Sequence, residues 1–325
     1  MKSNFEFLNR YWPALAQIGA VAESYVYSDA NACLYKLGMF GERLILEIFA
    51  FEHIKEPTID NTHANRIRLL KREGLIPKKI DDILYALRKT RNDAVHAGAD
   101  SVEDAKTLLS MTYNLAVWFM EVYGDWGYIA PAFVMPENVV QPDYESIIKE
   151  QEEKIVALSK QVEAVSTAAS TKTSKERAEK GETASESMEL SEAETRYLID
   201  EQLRKFGWEA DTNNLRYSKG TRPQKGRNLA IAEWPTDSAV GKNGYADYAL
   251  FVGLKLVGIV EAKKAAIDIP AVIDHQCKEY AKGIKAEHKE YIINQWGAYK
   301  VPFVFATNGR KYLKQIETKS GIWCL

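Results

Sequence analysis

The sequence is poor in cysteine, in long apolar runs and in net charge, and each shortage closes off a class of function. Its 325 residues include three cysteines, Cys33, Cys277 and Cys324. These are too far apart for a disulfide framework or a zinc cluster, so a reducing, cytoplasmic setting is expected. No stretch approaches the roughly 20 apolar residues of a membrane-crossing helix, so no membrane is expected among the partners. The first residues lack a basic start followed by an apolar run, and no signal peptide is expected. Net charge is only −2, so any nucleic-acid surface must be a local patch rather than a global excess. No G-x-x-x-x-G-K-[ST] run occurs and no internal repeat is visible, so a P-loop ATPase is not expected within this chain.

What is present divides by pattern. Residues 1–138 read as an all-α bundle. "GMFGERLILEIFAFEHI" places Phe40, Leu44, Ile45 and Ile48 at helical spacing, and "IDDILYALRKTRNDAVHAG" repeats it at Ile80, Ile83, Leu84 and Leu87 before a stop at Gly98. "SVEDAKTLLSMTYNLAVWFMEVYG" opens on a Ser cap with acidic residues in its first turn, then sets Leu108, Leu109, Tyr113, Ala116 and Met120 on one side.

Residues 139–189 read as a connection. Ile148, Ile155 and Val162 repeat every seven residues, as do Gln151, Leu158 and Val165, which fits a coiled-coil-like seam or one surface helix packed on a neighbour. The Ser-, Thr-, Glu- and Lys-rich stretch that follows is expected to be a linker, because it has little apolar surface to bury. Residues 190–325 alternate helix, strands, helix, strand, the order of an α/β domain with a mixed sheet.

Within that second part, "YADYALFVGLKLVGIVEAKK" joins two apolar strands through a turn at Gly253, yet carries Asp247, Glu261, Lys263 and Lys264. Side chains two apart on a strand share a face, so Glu261 and Lys263 point the same way, and the hairpin can bring Asp247 beside them. Two adjacent carboxylates repel, and one takes up a proton unless a cation lies between them. Magnesium held by Asp247 and Glu261 resolves the conflict, with waters and substrate phosphates as its other ligands. Lys263 would then stabilise charge growing on an attacked phosphate. Taken singly, these residues also fit a solvated strand end, and the two lysines fit an exposed edge.

The pattern D-x13-E-x-K on a hairpin resembles the active site of the PD-(D/E)xK nuclease superfamily, with Ala246 in place of the usual proline before Asp247. Gln276 and Tyr280, at i,i+4 on the following helix, resemble the Q-x-x-x-Y motif of nucleases attached to helicase motors. "SEAETRYLIDEQLRKFGW" resembles the helix that opens the nuclease domain of R subunits of type I restriction enzymes, with Glu192 as its acidic residue and Glu194 as the other register. "ADYALF", "VEAKK" and "FATNG" follow in the same order. The resemblance implies a PD-(D/E)xK restriction-endonuclease-like fold over residues 190–325 and catalytic roles for Asp247, Glu261, Lys263, Gln276, Tyr280 and Glu192. It also implies magnesium-dependent cleavage of double-stranded DNA in complex with methyltransferase and specificity subunits. ATP would act only in a motor domain absent from this chain, which is therefore expected to be part of a longer subunit.

Two further features bear on function. "RYSKGTRPQKGR" carries Arg216, Lys219, Arg222, Lys225 and Arg227 with no acidic residue among them, a patch suited to DNA phosphates or simply a solvated loop. "RNDAVH" gives Arg91, Asn92 and His96 the R-N-x-x-x-H spacing that resembles HEPN domains. That resemblance implies either a metal-independent ribonuclease using Arg91 and His96, or a non-catalytic accessory bundle. A catalytically silent DNA-binding or assembly module is a third reading.

Overall fold

The computed structural model describes residues 3–56, 60–96, 98–138, 172–237, 243–263, 269–308 and 323–324. The chain forms two units, Met1–Met188 and Glu189–Leu325.

The first unit is helical: α1 (Pro13–Tyr25), α2 (Ala30–Phe51), α3 (His63–Arg72), α4 (Lys78–His96) and α5 (Val102–Phe119), the last running into a π-helical turn at Met120–Gly124. Local chemistry sets the starts. The Asp29 carboxylate accepts from Ala32 N, and the Ser101 hydroxyl accepts from Asp104 N with Glu103 and Asp104 in the first turn. All the apolar positions that the spacing singled out on α2, α4 and α5 are buried. At Gly38 the helices approach so closely that an added Cβ would lie 2.4 Å from the Arg91 side chain.

Residues 174–187 correct the expectation of a linker. They form helix α6 (Ser174–Ser187), which starts with a reciprocal cap between Thr173 and Glu176. Its contacts with the bundle are polar or small, which is why an apolar pattern could not show it. Trp118 Nε1 donates to the Gly181 carbonyl at 2.9 Å, and Arg177 bonds both oxygens of Glu52 at 2.6 and 2.7 Å. The heptad-like positions Ile148, Ile155 and Val162 lie outside the described residues.

The second unit holds helix α7 (Glu192–Lys205) and strands β1 (Glu209–Ala210), β2 (Asn228–Asp237), β3 (Asn243–Val252), β4 (Lys255–Ala262), β5 (Phe303–Thr307) and β6 (Trp323–Cys324). Among the described residues they make one sheet in that order, with β1–β2 and β4–β5 parallel and the other neighbours antiparallel. It is the mixed α/β sheet that the alternation predicts. Gly253 turns the hairpin at φ 60°, a conformation that glycine adopts without cost.

One face of the sheet packs on α7 through Ile199, Ala230, Ala232, Tyr248, Leu250 and Val260. The other face carries Leu229, Ile231, Ala249, Phe251 and Ile259 against the segment after β4. That segment is not the single helix expected. It is α8 (Ile269–Val272), a π-helical turn (Ile273–Cys277) and α9 (Lys278–Lys282).

The strict alternation of β2 and β3 breaks at one place. Ala232 and Tyr248 face α7, yet Trp234 and Ala246, two residues along each strand, belong to the opposite core. Between them lie Glu233, at φ 51°, and Asp247, where the β2–β3 pairing passes from Ala232 opposite Tyr248 to Trp234 opposite Ala246. A positive φ costs a non-glycine residue about 1 kcal/mol or more, so this geometry must be held by its surroundings. It re-aims two acidic side chains at once.

Candidate active site

The site is where β3 and β4 part. Their pairing runs to Tyr248 opposite Val260, although both strands continue beyond it. In place of a further backbone bond, Asp247 Oδ2 accepts from the Ala262 backbone N–H at 2.7 Å. The opening is a cavity of about 220 Å³ lined by Glu192, Thr195, Arg196, Asp247, Glu261, Ala262 and Lys263.

The charges inside it interlock. Lys263 Nζ lies 2.6 Å from Glu261 Oε1, as expected for side chains sharing a face. Arg196 Nη2 reaches Asp247 Oδ1 at 2.8 Å and Glu192 Oε1 at 2.9 Å, and Arg196 Nη1 lies 3.3 Å from Glu233. Glu261 is only 4% exposed, and its Oε2 is buried without a hydrogen-bond partner. Burial, then the nearby Asp247 charge, push the Glu261 carboxyl up to about 7, with Lys263 opposing. Burial also raises Asp247, opposed by the Ala262 N–H and then by the Arg196 charge.

A buried carboxylate oxygen with no donor, beside a second carboxylate, suits a hard divalent cation. Among the described residues no group of three His, Cys, Asp or Glu could hold a metal ion. Asp247 and Glu261 offer two carboxylates as side-chain donors, a number that magnesium accepts when water and phosphate complete its shell. The residues present fit the metal.

Glu192 lines the cavity from the first turn of α7, whereas Glu194 is turned back as the cap partner of Ser191, whose N–H it accepts at 2.7 Å. The first register is the one that reaches the site. Tyr280 packs against β3, where a side chain at Gly244 would meet its ring at 3.0 Å. Burial, followed by the charges of Glu261 and Asp247, raises its phenol to about 12, so it stands within their field as a protonated donor. Gln276 is exposed and is not among the cavity-lining residues. The π-helical turn that contains Gln276 departs from the i,i+4 geometry assumed for the pair.

Comparison with known proteins adds to this geometry. Residues 209–325 match the family model described as the second domain of the type I restriction enzyme EcoKI endonuclease subunit. Residues 21–164 match a domain of unknown function, DUF4145. Over an alignment of 396 positions, the chain is 32% identical to the type I restriction enzyme EcoKI endonuclease subunit of Escherichia coli strain K12, across 99% of its own length. The chain is a homologue of a type I restriction endonuclease subunit. It spans about a third of that relative, 34%. No solved structure matches.

In this restriction-subunit homologue the basic loop is partly neutralised from outside itself. Arg216 pairs with Glu233, and Arg227 Nε lies 3.0 Å from Glu209. The Arg222 guanidinium sits 3.7 Å from the centre of the Tyr217 ring. Lys219 and Lys225 are exposed and have no ion pair among the described residues. In the helical unit, Arg91 pairs with Glu42 and lies over the Tyr35 ring, while Asn92 and His96 are exposed near the end of α4. No helix among the described residues is long and apolar enough to cross a membrane.

Arg196, Glu233 and Thr195 are the site residues that pattern reading passed over. Arg196 stands four residues after Glu192, on the same helical face. Glu233 is the one charged residue inside "NLAIAEW". Both signals were present, but neither names its partner.

Proposed function

We propose that this chain is the front portion of a type I restriction subunit, with residues 190–325 as a magnesium-dependent DNA endonuclease domain of the PD-(D/E)xK kind. The observation that carries the reading is the cavity where Asp247, Glu261 and Lys263 converge and one buried oxygen of Glu261 is left without a donor. Asp247 and Glu261 would hold the metal, which when bound supplies Lewis-acid charge to a phosphate and lowers the pKa of water. Lys263, fixed by Glu261, presents an ammonium group to charge developing on the attacked phosphate. Tyr280 would offer a phenol proton as a hydrogen-bond donor, and Gln276, which is exposed, would contact a DNA strand. Glu192 steadies Arg196 at the rim of the cavity.

In this reading double-stranded DNA is the substrate, methyltransferase and specificity subunits are the partners, and an ATP-driven motor belongs to the remainder of the subunit. Residues 1–138 serve as a helical accessory domain. Arg91 is already committed to Glu42, which favours that role over a ribonuclease site. The complete enzyme should cleave double-stranded DNA with magnesium and stop with EDTA. Cleavage of RNA by this chain without metal, lost on His96→Ala, would contradict the assignment.

Lys219 and Lys225, without an ion pair among the described residues, give a narrower expectation for DNA contact. Lys219→Gln and Lys225→Gln together should weaken DNA binding at every sequence and reduce the salt slope by about 1–2. Fluorescence anisotropy over a salt series checks this, and an unchanged slope would remove the loop from the DNA surface.

A further inference from the structure

Four atoms determine how a cation can enter this cavity. Of the four carboxylate oxygens on Asp247 and Glu261, three already have donors: Arg196 Nη2 on Oδ1, Ala262 N on Oδ2 and Lys263 Nζ on Oε1. Only Glu261 Oε2 is open. For Asp247 to join Glu261 as a ligand, one of its oxygens must therefore be released or shared. The Ala262 donor is backbone held in the sheet, and it is neutral. Lys263 is charged too, but it sits on Glu261, whose other oxygen is already open; on Asp247, Arg196 is the charged side chain that can move and that repels an incoming dication.

Arg196 also has somewhere to go. Its guanidinium bonds Glu192, which is 73% exposed and can follow it, and it lies 3.3 Å from Glu233. Glu233 is aimed there by the φ of 51° that breaks the alternation of β2. Released from Asp247, Arg196 would stay at the rim with Glu192 as its partner and Glu233 shared with Arg216.

We infer that Arg196 is a displaceable counter-ion of the metal site, holding Asp247 in the metal-free protein and yielding Oδ1 to a divalent cation. It is a positioning residue that weakens metal binding, with Glu192 and Glu233 as its alternative anchors. The inference rests on the metal reading of Asp247 and Glu261 given above.

The test is calorimetric titration of the 325-residue chain with calcium, a dication that occupies oxygen sites, at a pH of about 8. Arg196→Gln should bind calcium about tenfold more tightly than wild type, because a unit charge close to the ion is removed. Arg196→Lys, which keeps the charge, should stay within about threefold of wild type. Loss of a merely structural contact would loosen the site and weaken binding instead. A second measurement needs no variant: the Arg196 side-chain nitrogen resonances of the wild type should shift when calcium binds. If wild type binds calcium but folded Arg196→Gln binds no more tightly, or the Arg196 resonances stay fixed, this inference fails alone. If neither protein binds calcium, the metal reading fails with it.

Discussion

Asp247→Asn or Glu261→Gln is expected to reduce DNA cleavage by the complete enzyme by about a thousandfold or more. Each change keeps the shape of its side chain and removes one of two charges that share the cavity. For Asp247 the amide also weakens the acceptor that replaces a ladder bond to Ala262, so the local opening between β3 and β4 is the structural feature to check. For Glu261 the change relieves rather than adds strain, since its charge is buried and stands close to that of Asp247. A more stable but inactive Glu261→Gln protein would thus separate function from folding. ATP-driven movement on DNA should persist in both variants, because the proposed motor lies outside this chain. Robust cleavage by either folded variant would remove its carboxylate from the active site.

The second large effect concerns stability of the helical unit. Arg177→Ala leaves the Glu52 carboxylate buried without its cation, the side chains being 7% and 0% exposed in the pair. Breaking such a pair costs about 3–5 kcal/mol, roughly 10 °C in the melting temperature of a unit this size. Replacing both partners, Arg177→Met with Glu52→Leu, should recover most of that loss, since no charge is then stranded. Burial acts to raise Glu52, but the hydrogen bonds from Arg177 and Ser174 outweigh it and hold the carboxyl below its ordinary value. Its contribution is therefore complete above the unfolded value of about 4.3 and is lost as pH falls through the lower folded value. Thermal melts at neutral and acid pH check both points. An Arg177→Ala melt matching wild type at neutral pH would show that α6 is not held by this pair.

Burial along a single element is legible in the sequence, whereas partners drawn from distant elements are not. Phe40, Leu44, Ile45 and Ile48 bury as their spacing requires, because periodic burial is a local property that one chain displays along itself. The juxtaposition of Glu261 and Lys263 was legible for the same reason, strand side chains having period two. Helix α6 was hidden because its docking depends on Arg177, Gly181 and Trp118, not on an apolar stripe. The basic loop looked stronger than it is because the carboxylates that offset it, Glu209 and Glu233, come from outside its sequence. Arg196 and Asp247 are 51 positions apart, and no spacing rule joins them. The i,i+4 pairing of Gln276 with Tyr280 requires α-helical geometry, which the π-helical turn does not keep.

The central claim is that Asp247 and Glu261 jointly hold a divalent cation, and manganese titration followed by electron paramagnetic resonance tests it most directly. Manganese reports its own binding, needs no DNA and accepts the same oxygen donors as magnesium. The account predicts one bound ion per wild-type chain, lost in Glu261→Gln and in Asp247→Asn, and competed away by magnesium. Unchanged manganese binding in both variants would contradict it.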